Sequence, residues 1–323
     1  MLKGVRPKNR ALGLSLLVAA ILAGFPSTGS AQQTIFFTEP FDGTWTGWYD
    51  GTGGSIDNVV YSPNGGNSSA RFHWNQGSNG EPGGARRHKF TASDTVYMSF
   101  DLKLGTASVP WQGSRVAFHP HIIYLLTDAN ADFAGLAWDY LTFYVEWTLF
   151  TPRLAIQDGQ RINLSQLTSS YPGLLGSTTP HAVAGGNGPQ NQATPTGAGY
   201  YSIGAPNYAN GTNWDSASAN LRNNTWHRVE VYVAMNSISG GVPQANGIIR
   251  FWVDGVLAVE RTNVYLRTAQ FATQKFNQFV LAPYIGSGSP IAQDMWIDNL
   301  IVADQRSASQ TSVPPPTNLR VIP

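Results

Sequence analysis

The strongest constraint on this chain is an alternation of apolar and polar residues at period two, repeated in stretch after stretch with no long helical period between them. In "VYMSFDLKL", Val96, Met98, Phe100 and Leu102 stand against Tyr97, Ser99, Asp101 and Lys103, and "SARFHW" sets Ala70, Phe72 and Trp74 against Arg71 and His73. "DYLTFYVEWT", "WHRVEVYVAM", "IIRFWVDGVLAVERT", "FNQFVLAPYIG" and "MWIDNLIVAD" keep the same rhythm. Successive side chains on a strand point to opposite faces, so each stretch has one face for a core and one polar face. The Asp-Gly pair within "VDGV" is a hairpin turn that joins its two arms. These features predict an all-β protein: a two-sheet antiparallel β-sandwich (jelly roll) with long loops and little helix.

Composition narrows the function classes. The 323 residues carry a net charge of +1 with 12% charged side chains, so no bulk charge draws the chain to nucleic acid. The 34 glycines and 20 prolines suit a turn-rich β chain. Cysteine is absent, which removes disulfides, thiolate nucleophiles and Cys-based zinc sites together. The basic "MLKGVRPKNR", the apolar "ALGLSLLVAAILAGF" and the small residues of "STGSA" form a secretory signal peptide, with cleavage after Ala31; a membrane anchor is the alternative. The expected organisation is a signal peptide over 1–31, one domain over 32–305, and a Ser/Thr/Pro-rich tail over 306–323. A Gly- and Asn-rich region from Ser165 to Asn224 interrupts the strand rhythm and is expected to wall one end of a cleft. No phosphate-cradling loop, G-x-S-x-G elbow or H-E-x-x-H string occurs.

The order of the strands, above all "NTWHRVEVYVAMN", then "GIIRFWVDGVLAVERTNV" and a closing "MWIDNLIVAD", resembles secreted bacterial proteins of the concanavalin A-like lectin/glucanase superfamily, in particular its polysaccharide-lyase-like members. That resemblance implies two packed antiparallel sheets, one of which binds a polysaccharide along its concave face. The same fold hosts lectins, glycosidases and lyases, so the reaction has to be argued from the site. The E-x-D-x-x-E string of laminarinase-type glycosidases is missing. Alginate lyases of this fold carry R-[ST]-E-L-R, Q-I-H and Y-x-A-G-x-Y-x-Q, for which "ARRHKF", "HPH" or "IQDG", and "YYSIGAPNY" are loose counterparts here.

β-Elimination from a uronic acid needs donors for the carboxylate, a base for the neighbouring proton and an acid for the leaving oxygen, all within reach of Tyr, His, Arg, Asn and Gln. "FHPHIIY" sets His119 and His121 on one strand face, either beside a sugar or against strand-end loops. Tyr144 and Glu146 lie on the polar face of their strand, and Arg228, Glu230 and Tyr232 on the polar face of theirs. Two such strands would line one trough; the alternatives are a solvent face and a surface ion pair between Arg228 and Glu230. Arg87, in the basic run of "ARRHKF", either draws in an acidic polymer or guards an edge strand, and Gln157 is a candidate amide ligand. The leading expectation is lyase chemistry with His121 or Tyr144 as base or acid, while His119, Gln157 and Arg228 hold the uronate. A non-catalytic binding module or lectin is the rival, as is a hydrolase using Glu146 and Glu230. Asp128, Asn130 and Asp132 have the D-x-N-x-D spacing of a calcium loop but lack its Gly and distal Glu, so calcium is possible and no other cofactor is expected. His181 and Tyr201 are candidates to cap the groove. The expected protein is a monomer, secreted to the periplasm or outside a bacterial cell, whose partner is a polysaccharide, with no nucleic acid and, after cleavage, no membrane.

Overall fold

The computed structural model describes residues 32–80, 84–113, 120–128, 142–148, 151–157, 212–215, 221–264, 266–267 and 272–307. Among these there is no helix, and the strands in chain order are β1 (Ile35–Glu39), β2 (Tyr49–Asp50), β3 (Ser55–Asp57), β4 (Ser69–Trp74), β5 (Arg86–Ser93), β6 (Thr95–Leu104), β7 (Pro120–Thr127), β8 (Thr142–Thr148), β9 (Thr151–Gln157), β10 (Thr212–Asp215), β11 (Trp226–Ala234), β12 (Ile238–Ser239), β13 (Val242–Pro243), β14 (Gly247–Val253), β15 (Val256–Val264), β16 (Phe276–Ile285) and β17 (Gln293–Ala303). An eight-stranded sheet runs β15-β14-β11-β6-β17-β4-β3, with β1 also on β17, and a seven-stranded sheet runs β10-β9-β8-β7-β16-β5-β2. Every pairing between these strands is antiparallel.

One core joins the two sheets. Phe72, Met98, Phe100, Val229, Val231, Phe251 and Ile297 come from the first sheet and Ile123, Leu125, Phe276, Phe279 and Leu281 from the second, all essentially fully buried. Removing each of these side chains from water is worth about 1.5–3 kcal/mol, which suffices for a fold without disulfides. Their period-two spacing sends the alternate residues of each strand to the outer faces of the sandwich. The β14–β15 hairpin turns on Asp254 (φ 51°) and Gly255 (φ 77°), the left-handed pair that a two-residue turn requires.

The polar face of β6 differs from a solvent face. Tyr97, Ser99 and Asp101 are all fully buried. The chain between β3 and β4 reaches Asp101: Ser62 Oγ (2.6 Å) and Asn64 Nδ2 (3.0 Å) donate to Asp101 Oδ2, joined by Asn299 Nδ2 (3.0 Å). Arg228 donates to Asp101 Oδ1, to Ser99 Oγ and to the Asn299 carbonyl. The middle of the outer face of the eight-stranded sheet is thus filled by a polar network of its own.

Candidate active site

The outer face of the seven-stranded sheet is built differently. On β16, Phe279, Leu281 and Ile285 enter the core, while Gln278, Val280, Ala282 and Tyr284 belong to the other side. β16 lies between β7 and β5, so Val280 faces Tyr124 on one flank and Arg87 on the other, and Tyr284 faces His121. These strands floor a cleft of about 300 Å³ lined by Arg87, Tyr124, Val280, Ala282, Pro283 and Tyr284, with Gly80, Gly84 and Ala85 at its rim. The floor is apolar and the walls carry a cation and two phenols, the mixture that suits a sugar ring with an acidic substituent.

Tyr284 is 41% exposed, and the His121 and Tyr284 rings meet edge to face with centroids 6.1 Å apart. The backbone around Tyr284 is clamped to the loop after β4. Ile285 N donates to Asn79 O (2.6 Å), Asn79 Nδ2 to Gly286 O (2.7 Å), Gly77 N to Ser289 O (2.7 Å) and Ser289 N to Ser78 O (2.8 Å). Gly288 (φ +80°) permits this approach, since a Cβ there would sit 2.6 Å from the Gly77 carbonyl oxygen.

The basic run of β5 splits by strand period. Arg86 turns inward, its guanidinium 3.8 Å above the Trp45 ring and bonded to the carbonyls of Gly53 and Thr52. His88 stacks on Phe37 at 3.8 Å, and burial holds its pKa below the usual histidine value. Arg87 turns to the cleft, with Nε donating to Asp50 Oδ2 (2.7 Å) and Nη1 to the buried Gln278 Oε1 (2.9 Å). Lys89 lies 5.4 Å from the Tyr49 ring centroid. The expected local positive patch is therefore half structural, and Arg87 is its cleft-facing half.

The register carries the sheet onward from β7. Tyr144 pairs with Tyr124 and Glu146 with His121, and on the next strand Gln157 pairs with Thr142, Ala155 with Tyr144 and Arg153 with Glu146. Directly paired positions share a face of an antiparallel sheet. By register, positions 144 and 146 therefore continue the row that starts at Tyr284 and His121.

Arg228, Glu230 and Tyr232 do not join this row. They alternate with the core residues Val229, Val231 and Val233 on β11, which places them on the outer face of the other sheet. The trough expected between β8 and β11 is not formed by neighbouring strands, because β8 and β11 belong to different sheets. Glu230 is instead sealed in place: Arg306 Nε and Nη2 donate to its two oxygens at 2.8 and 2.9 Å, and the Tyr97 hydroxyl donates at 2.7 Å. Glu146 belongs to the seven-stranded sheet and Glu230 to the eight-stranded one, so the strand order does not set the two on one sheet face. Arg228 is likewise committed to Asp101, Ser99 and Asn299 and does not hold a substrate in the cleft.

His119, Asn130, Asp132, His181 and Tyr201 lie outside the described residues. Asp128 is an exposed strand-end residue that exchanges two hydrogen bonds with Lys275, its N–H to the Lys275 carbonyl and the Lys275 N–H to its carboxylate, each 2.9 Å. Among the described residues no cluster of three His, Asp or Glu is arranged to hold a metal. Sequence reasoning missed Tyr284, Tyr124, Gln278 and Asp50. Tyr284 ends the alternating segment "FNQFVLAPYIG", and only the strand order, with β16 between β5 and β7, brings it beside Arg87 and Tyr124.

No protein-family model matches the sequence, and no curated protein matches it. Solved structures do match the fold. An endo-β-1,4-glucuronan lyase from the fungus Trichoderma reesei superposes with a TM-score of 0.51 at 15% identity, covering 84% of this chain and 96% of that one. The marine PL-14 alginate lyase from Aplysia kurodai gives 0.52 at 12% identity over 80% and 91%. The alginate lyase vAL-1 from a Chlorella virus gives 0.50 at 14% identity over 78% and 90%. This chain therefore has the two-sheet jelly-roll fold found in polysaccharide lyases.

Proposed function

We propose that this protein is a polysaccharide lyase that cleaves a uronate-containing polymer by β-elimination in the cleft of the seven-stranded sheet. The observation that carries the reading is the pairing of His121 with Tyr284 across β7 and β16, at one end of an apolar cleft that has Arg87 in its wall. Glucuronan and alginate are the substrates named for the proteins of like fold, and the chemistry of this cleft agrees with an acidic sugar.

In this mechanism the His121 imidazole takes the proton from the carbon that bears the carboxylate. The electron pair forms the new C4–C5 double bond, the C4–O bond breaks, and the leaving oxygen takes the proton of the Tyr284 hydroxyl. Proton exchange with solvent returns both side chains to their starting state. Val280 and Ala282 give the sugar faces an apolar bed, and Arg87 meets a carboxylate. Arg87 pairs with Val280, four residues before Tyr284 and so about 13 Å away along the strand, which assigns it to a neighbouring sugar and not to the one being cleaved. Secretion, expected from the N-terminal segment, fits a polymer too large to enter a cell.

Incubation with polyglucuronate, alginate and a neutral β-glucan tests the reading. Ultraviolet absorbance from unsaturated ends is expected on an acidic polymer, and His121→Ala and Tyr284→Phe should each lower turnover by about 10²–10⁴-fold with unchanged melting curves. Reducing ends without absorbance would make the protein a hydrolase, and retention on a polymer with neither would make it a binding module.

A further inference from the structure

We propose that Asp50 is a positioning residue for substrate binding: from the edge strand β2 it fixes the Arg87 guanidinium in the orientation that receives a sugar carboxylate in the cleft. The inference rests on the uronate reading above. In the register of β2 and β5, Asp50 is paired with Arg86, whose side chain goes inward over Trp45. A regular strand would send the Asp50 carboxylate the same way. Asp50 instead has φ 73°, in the left-handed region that costs a non-glycine residue energy, and its carboxylate bonds Arg87, the residue next to its register partner. The backbone strain thus re-aims one carboxylate from the inner to the outer side of the sheet, onto Arg87 in the cleft wall.

Arg87 has a second partner in Gln278. Gln278 is fully buried and accepts from Nη1, while the Tyr49 ring centroid lies 5.7 Å from the Arg87 Cζ. With Nε held by Asp50 and Nη1 by Gln278, the plane of the guanidinium is set before any ligand arrives. A planar five-donor fork recognises a carboxylate best in a fixed plane, so pre-orientation lowers the cost of binding. Because Arg87 serves a sugar away from the bond being broken, Asp50 should act on affinity and leave the rate of the bound complex nearly unchanged.

The experiment measures KM, kcat and equilibrium affinity on polyglucuronate and alginate for Asp50→Gly, Asp50→Asn, Arg87→Gln and the double variant Asp50→Gly/Arg87→Gln. Glycine accepts φ 73° without strain, so Asp50→Gly removes the carboxylate with the backbone preserved, which a melting curve verifies. Asp50→Gly should weaken affinity and raise KM about tenfold, the weight of a lost charge-assisted hydrogen bond, with kcat within about twofold. Asp50→Asn, which retains an acceptor, should recover part of the loss, and the double variant should be no weaker than Arg87→Gln alone. Wild-type affinity in Asp50→Gly, a fall confined to kcat, or losses that multiply in the double variant would overturn the proposal. A wild-type protein that binds polymer without absorbance change overturns the lyase reading and leaves Asp50 to be judged by affinity; one that binds neither polymer overturns both.

Discussion

Removing Arg306 should destabilise the whole domain, although the residue lies past the last strand, where the Ser/Thr/Pro-rich tail begins. Glu230, 3% exposed, is held by two Arg306 bonds and one Tyr97 hydroxyl. Burial and the Glu230 carboxylate hold the Tyr97 phenol above its usual pKa, so Tyr97 serves as a donor here. Arg306 also lies 4.6 Å over the Trp252 ring, and its side chain is 18% exposed. Deleting one partner of a buried pair leaves the other charge in low dielectric, at a cost of about 3–5 kcal/mol. For a domain of this size each kcal/mol moves the melting temperature by about 2–4 °C, so Arg306→Ala, or truncation after Gln305, should lower Tm by about 6–20 °C. The assay is thermal and urea unfolding of the chain from Gln32 onward, ending at Pro323 or at Gln305. Adding Glu230→Gln should restore part of the loss, because the stranded charge is gone. An Arg306→Ala protein within about 0.5 kcal/mol of wild type, or a double variant with additive losses, would refute the argument.

Two other outcomes follow from the outer face of the eight-stranded sheet. Burial lifts the Asp298 carboxyl to about 7, with Asp101 and Asp42 adding to the rise against the N–H bonds from Ser62 and Asn299. The folded protein therefore keeps that proton to higher pH than the unfolded chain, so this contribution to stability is complete below 3.8 and is lost as pH rises to about 7. Asp298→Asn should flatten that part of the stability profile in urea titrations at pH 4 to 8, and an unchanged slope would count against it. Arg228→Ala should cost about 1–3 kcal/mol, less than the loss of Arg306 because Ser62, Asn64 and Asn299 still donate to Asp101, yet leave KM for any acidic polymer unchanged. A raised KM at unaltered stability would return Arg228 to the substrate site.

The strands, their apolar faces and the Asp254-Gly255 hairpin were legible from local pattern, because period-two alternation and left-handed turn preferences act over a few residues. The same pattern brought out His121 and Tyr144 as members of polar faces, and Arg87 as part of a basic run. It had no means of telling one polar face from another. Glu230 and Tyr144 look alike in sequence, a carboxylate and a phenol alternating with apolar residues, yet one is sealed under Arg306 and the other is in register with Tyr124.

That difference arises from strand order, which depends on contacts between distant segments. β16 is inserted between β5 and β7 from more than 140 residues further along the chain, and only this insertion brings Tyr284 beside His121 and Gln278 beside Arg87. The diversion of Asp50 is a backbone torsion that no residue pattern announces. Alternation states that a side chain has a face, since that is a property of the strand alone; what the face meets is settled when the sheets assemble, because only packing chooses the neighbours.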